Sequence, residues 1–309
     1  MSNNKNMMCD INTGICGETD GAGMEMMNFQ RPQKKIDLYY VTDPICSHCW
    51  ALEPVLRRFT EQYGDYFRFH TVIGGLLEKW HDGPIDPANG IYQPADVVKH
   101  WREVGEHYRM PIDGSLMKND HVESSYPASR VFTIIQKHHG AEVASSFLRR
   151  AREALFIFNQ NIGKDEVLIE IASKMDLDGK AMVDEANQTI GQTLLSENFD
   201  LTKQLGARGF PTIVMINEEN QGIKLVGNRS LEDFVQALEK ILANTELQAS
   251  TLPSLESILK KEKMLFAREI EVLYDLHEDE LASFIEKELD ANAYKRNEVL
   301  GEVYLTYNY

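Results

Sequence analysis

No apolar run in this sequence approaches the ~18 residues that a membrane span needs. Its first residues, Met1-Ser2-Asn3-Asn4-Lys5-Asn6, lack the apolar core of a secretory signal. Together these two absences predict a chain that stays in the cytoplasm and has no membrane partner. Positive charge is also short. Thirty-two Lys and Arg stand against 48 Asp and Glu, a formal net charge of −16. Nucleic acid needs clustered cations, so it is excluded as an expected partner. Cysteine is scarce, with four in 309 residues, too few for a disulfide scaffold. No second C-x-x-C or Cys/His knuckle completes a zinc site, and neither a metal nor a cofactor is expected.

Apolar residues make up 43% and charged residues 26%, the composition of a globular chain that can bury a core. Two of the four cysteines lie close together in Asp43-Pro44-Ile45-Cys46-Ser47-His48-Cys49-Trp50. Before this stretch, Ile36 to Thr42 alternates as a strand does. After it, Ala51 to Phe59 reads as a helix carrying Pro54. The first sulfur therefore falls at a helix N-terminus, where unpaired N–H groups and the helix dipole favour a thiolate. Thiolate is the species that attacks disulfides. His48 is expected to add positive charge beside Cys46. Half a zinc site and an inert buried pair are the competing readings.

Downstream, Gly206-Ala207-Arg208-Gly209-Phe210-Pro211-Thr212 leads into the apolar strand Ile213 to Asn217. Pro211 at the strand's first residue is a candidate for a cis peptide. Residues 1–34 read as a flexible tail holding Cys9 and Cys16, whose spacing suits a small loop around Thr13-Gly14. They are read as incidental thiols, as a second dithiol exchanging with Cys46, or as a metal clip. Helical periodicity runs from about 95 to 196, through Val97, Val98, Trp101 and Val104, then 128–135, 147–156, 166–175 and 180–186. Ser230 is an N-cap candidate for a helix over 231–242. Beyond a linker at 244–254, an amphipathic helix is predicted over 255–276 and a second, Glu-rich one from 281, as in a helix-turn-helix. Acids outnumber bases there, so a protein-docking appendage is the functional reading rather than DNA binding.

The strand–CxxC–helix unit, Pro54 five residues past Cys49, and the Arg208-Gly209-Phe210-Pro211-Thr212 loop resemble the thioredoxin superfamily. Cys-x-His-Cys with a helical insertion resembles its DsbA branch, with Ser47 standing where many members carry proline. The resemblance implies an α/β thioredoxin-like fold over 35–244 with a helical extension at 245–309. It also implies catalysis through Cys46, Cys49, His48 and Pro211, with Ser47, Trp50, Phe210 and Thr212 lining the substrate. The dithiol segment is similar to FrnE-like dithiol-disulfide isomerases. The string from Asp43 to Pro54 and the tail Glu269-Ile270-x-Val272-x-Tyr274-Asp275-Leu276 are similar to adapters that deliver the Spx regulator to the ClpXP protease. Two functions follow as expectations. The first is thiol–disulfide exchange on protein substrates bearing disulfides or thiols, and the second is non-catalytic delivery of a regulator to a protease.

Overall fold

The computed structural model describes residues 9–10, 15–16, 36–81, 85–244 and 246–308. The chain divides into two units, Met1–Gln33 and Lys34–Tyr309. In the first, β1 (Cys9–Asp10) and β2 (Ile15–Cys16) pair antiparallel, with Cys9 opposite Cys16.

The second unit starts with β3 (Ile36–Thr42), which buries Ile36, Leu38 and Tyr40 on one face. Then come α1 (Ser47–Tyr63) and β4 (Phe67–Ile73), which lies parallel to β3 as a strand–helix–strand crossover requires. Pro54 inside α1 supplies no N–H to the helix ladder. Five helices follow before the next strand: α2 (Val97–Tyr108), α3 (Tyr126–Phe156), α4 (Asp165–Ser173), α5 (Gly179–Ala186) and α6 (Thr189–Gln204). This is the expected helical insertion. α3 is broken at Gly140, whose φ of 87° only glycine adopts cheaply, and resumes after it. β5 (Thr212–Ile216) and β6 (Gly222–Val226) complete a sheet of order β4-β3-β5-β6, and α7 (Leu231–Leu242) begins at the Ser230 cap.

The extension differs from the sequence reading in two respects. Residues 255–276 do not form one helix. α8 (Leu255–Glu262) stops at Lys263, at φ 65°, and Met264–Phe266 forms β7 before α9 (Ala267–Tyr274). Three consecutive apolar residues, all buried, fit a strand covered on both sides better than a helical stripe. α10 (Leu281–Glu288) follows α9 across a short turn. β8 (Tyr294–Val299) and β9 (Glu302–Tyr307) then form a hairpin, giving a second sheet of order β7-β9-β8. The extension therefore carries the expected helices and a small antiparallel sheet as well. Among the described residues no helix is long and apolar enough to cross a membrane.

Candidate functional site

The end of β3 sets the site. Gly74 N–H donates to Thr42 O at 2.8 Å. Next to it the fully buried Asp43 carboxylate accepts from Ile45 N–H (3.0 Å), Leu76 N–H (2.7 Å) and the Ser125 hydroxyl (2.9 Å). Burial holds this carboxyl above its ordinary value, even against those donors. The staple turns the chain so that Cys46 is the N-cap of α1. There its Sγ accepts the Cys49 N–H at 3.1 Å, the role serine or aspartate usually takes.

The helix-start placement is as expected, and both sulfurs there are enclosed. Cys46 is 5% exposed and Cys49 is wholly enclosed. Burial pushes the Cys46 thiol well up, and its hydrogen bond to Cys49 pushes the same way. Burial acts on Cys49 too, but the bond from Cys46 and the charge of Arg152 outweigh it and hold that thiol below its usual value. The expected role of His48 as a cation is corrected. Its half-buried ring meets His100 at 5.7 Å and Tyr108 at 6.1 Å between centroids. Burial, then His100 and His107, lower its pKa, so the imidazole is neutral at neutral pH and lends no charge to Cys46.

Three residues expected against a substrate are enclosed in the fold. Ser47 is buried. Trp50 is fully enclosed, its indole N–H donating to Pro111 O at 3.2 Å. Thr212 is also enclosed, its hydroxyl turned onto Gly209 O at 2.7 Å. Phe210 is half-buried, with its ring directly over Gly74; a Cβ there would lie 2.0 Å from the ring. The Phe210–Pro211 peptide is cis, and the register that pairs Thr212 with Val41 carries Pro211 level with Thr42. The side chains of Cys9 and Cys16 lie outside the described residues. Among the described residues no group of three or more His, Cys, Asp or Glu is placed to hold a metal ion.

Sequence reasoning missed the charged junction behind the dithiol. Glu53, one helical turn past Cys49, accepts from Arg149 and from Arg152 Nη1 (2.8 Å). Arg149, 5% exposed, also reaches Glu153 (2.7 Å) and both oxygens of Glu269 in α9 (2.9 and 2.8 Å). Its guanidinium lies 4.6 Å from the centre of the Trp50 ring, which is itself edge-on to Phe266. Arg57 of α1 bonds Glu262 of α8 at 2.6 Å, and Arg109 grips the buried Glu271 through two bonds of 2.7 and 3.0 Å. Burial alone would raise the Glu53 and Glu262 carboxyls. The arginines prevail there, holding Glu53 below its ordinary value and Glu262 at about 2, while Arg149 rises well above its own. A cleft of about 490 Å³ opens beside the cluster, lined by both the dithiol-bearing helix and the extension. The signal was available: Arg149-Arg150-Ala151-Arg152-Glu153 interrupts an apolar helix, and Glu269 stands in an apolar stripe. Glu53 and Glu269 belong to the two strings that carried the adapter resemblance, and in space both bind Arg149.

A family model described as Thioredoxin matches residues 39–236. Among curated proteins, the ClpXP adapter protein SpxH of Halalkalibacterium halodurans is 31% identical over 285 residues, covering 90% of each chain. The protein of the same name from Shouchella clausii is 30% identical, covering 88% of this chain and 87% of its own. Among solved structures, a putative protein disulfide isomerase from Nitrosomonas europaea aligns with a TM-score of 0.56 at 20% identity, covering 68% of this chain and 97% of its own. A probable DsbA oxidoreductase from Streptomyces coelicolor aligns at 0.53 and 15% identity, covering 71% and 94%. These last two likenesses speak for the fold alone, a thioredoxin-like α/β core with a DsbA-like helical insertion. The chain belongs to the thioredoxin family and, by its identity over nearly the whole length, to the SpxH proteins within it.

Proposed function

We propose that this protein is an adapter, a binding platform that presents a regulator of the Spx kind to the ClpXP protease. One observation carries the reading. The DsbA-like structures are almost fully covered by 68–71% of this chain, whereas the SpxH relative is matched over 90% of both chains. What the chain shares with the adapter therefore exceeds the redox fold. The arginine junction supports this, because it fixes the extension to α1 through groups too buried to open cheaply. The enclosed thiols also suit a platform better than a protein-disulfide catalyst. The test is degradation of the regulator by purified ClpXP with and without the protein. Replacing Cys46 and Cys49 together by serine should leave the acceleration in place, whereas Arg149→Met should abolish it. An acceleration that vanishes with the cysteines overturns the reading.

Thiol–disulfide exchange stands as a second reading because both cysteines stand at a helix start, the Cys46 sulfur accepting the Cys49 N–H, and Pro211 lies level with Thr42 at the end of the strand that leads to them. Reduction of insulin disulfides that is lost in Cys46→Ser would favour it.

A further inference from the structure

Neither reading of the function uses the cleft beside the charged junction. Part of its wall is aromatic: Tyr40, Phe67 and Phe69 line it, with centroids 6.2 Å apart for Tyr40 and Phe69 and 6.4 Å for Phe67 and Phe69. The rest is charged, with Arg57, Arg149, Arg152 and Lys261 set against Glu53, Glu61, Glu142 and Glu262. Most of these satisfy one another. Arg57 bonds Glu262 at 2.6 Å, Arg149 and Arg152 share Glu53, and Lys261 lies 3.4 Å from Glu142. Three groups are left over. The Nε–H groups of Arg57 and Arg152 are buried without an acceptor, although both Nη nitrogens of each arginine are bonded. Glu61, half-buried, makes no ion pair among the described residues. It stands one turn along α1 from Arg57, on the same helix face, with the Cβ atoms about 5–6 Å apart.

We propose that the cleft binds a free α-amino acid with an apolar side chain. Its carboxylate accepts from the Nε–H groups of Arg57 and Arg152, its ammonium meets Glu61, and its side chain packs on Phe67 and Phe69. A buried N–H of a cation that has lost its water and gained no acceptor is costly, so each marks a place for an oxygen from outside the chain. The charges lining the cleft already balance. A bare acid or a bare amine would bring a charge that nothing there offsets, whereas a zwitterion brings none. The spacing of Arg57 and Glu61 on one helix face suits two opposite charges carried on a single carbon. A volume of about 490 Å³ falls in the range of small-molecule sites.

The walls come from α1, α3 and α8, so an occupant touches both the dithiol-bearing helix and the extension. It binds the joined form and not the opened one, and therefore strengthens the junction by mass action. The site stands on the cleft alone, so its test leaves the adapter reading untouched either way.

The experiment is calorimetric titration of the full-length protein with L-phenylalanine. Two blocked forms are set against it: L-phenylalaninamide, which lacks the carboxylate, and N-acetyl-L-phenylalanine, which lacks the ammonium. L-phenylalanine should bind at a single site and slow proteolysis within 246–254, and each blocked form should bind at least about tenfold more weakly. Glu61→Gln should weaken L-phenylalanine about tenfold and leave N-acetyl-L-phenylalanine unchanged. Arg57→Lys keeps a cation for Glu262 but has no Nε–H, and should weaken both of these ligands. If that variant fails to fold, Glu61→Gln decides alone. No binding of L-phenylalanine up to its solubility limit overturns the proposal and leaves the cleft to water. Equal binding of all three compounds overturns it as well, since an apolar crevice would do the same. So does binding of L-phenylalanine that Glu61→Gln does not weaken.

Discussion

Helix α1 has two working ends. Its start holds the Cys46 and Cys49 thiols, conspicuous in the sequence yet closed to solvent in the fold. Its middle turns hold Glu53 and Arg57, unremarkable in the sequence, yet there the extension is joined to the rest of the unit. Chemistry that stands out in a sequence is local, resting on a few residues in a row. Chemistry that joins distant segments has to be read from charges lying in stretches that are otherwise apolar. The predictions that follow set these two ends against each other.

Arg149→Met should have the largest effect. It leaves Glu53, Glu153 and Glu269 buried with one cation fewer among them. Breaking a buried pair in this way costs roughly 3–5 kcal/mol. Urea unfolding should show that loss, and limited proteolysis should cut within 246–254, where the chain enters the extension. Lysine at 149 should rescue little, because one ammonium cannot replace a fork that reaches three carboxylates. A stable, protease-resistant Arg149→Met protein would remove the junction from the argument.

Gly74→Ala tests the dithiol end. The added Cβ would stand 2.0 Å from the Phe210 ring, so the ring and the Pro211 loop behind it must shift. Overpacking of this kind costs about 1–3 kcal/mol. The loss should appear in urea unfolding without release of the extension. If proteolysis within 246–254 also rises, the two ends are mechanically coupled and the comparison is too simple.

Acid should also act on the junction first. The Glu262 carboxyl falls from an ordinary 4.5 to about 2 in the folded protein, with Glu53 lowered in the same direction. A carboxyl lowered by folding stabilises the fold above its unfolded pKa, and that contribution is lost as pH falls through the folded value. Stability from Glu262 should therefore decline between about 4.5 and about 2. Glu153 acts with the opposite sign: burial raises it, so protonation on the way down relieves a cost and softens the early part of the loss. Proteolytic release of the extension should follow this window. A release centred near neutral pH would point to a histidine instead.

The sequence made the dithiol end legible because each part is local. An alternating run marked β3 and a continuous apolar run marked β5, the Cys46–Cys49 spacing marked the helix start, and Pro211 marked the strand entry opposite Thr42. Helices α2 to α5 were legible because their apolar stripes recur at helical spacing. The extension was harder. Met264-Leu265-Phe266 continues the apolar pattern of a helix, and its strand pairing depends on β9, about forty residues away. β8 is mostly polar, and its pairing with β9 shows only in the context of their own sheet. The thiol ranking and the enclosure of Trp50 depend on Arg149 and Arg152, about one hundred residues downstream, which no local pattern reports.

The smallest expected effect sharpens the contrast within one interface. Arg58 reaches from α1 to the turn after α9, bonding Asp275 at 2.9 Å and Val272 O at 3.0 Å. It spans nearly the same elements as Arg149, but the Asp275 side chain is 82% exposed. Water already solvates that carboxylate, so the pair should contribute under about 1 kcal/mol. Asp275→Asn keeps a residue that tolerates the left-handed φ of 59° there, so only the charge changes. Its unfolding midpoint should stay near that of the parent protein and be insensitive to salt. A loss comparable to that of Arg149→Met would mean that burial is not what distinguishes the junction, and that the extension is held by charge number alone.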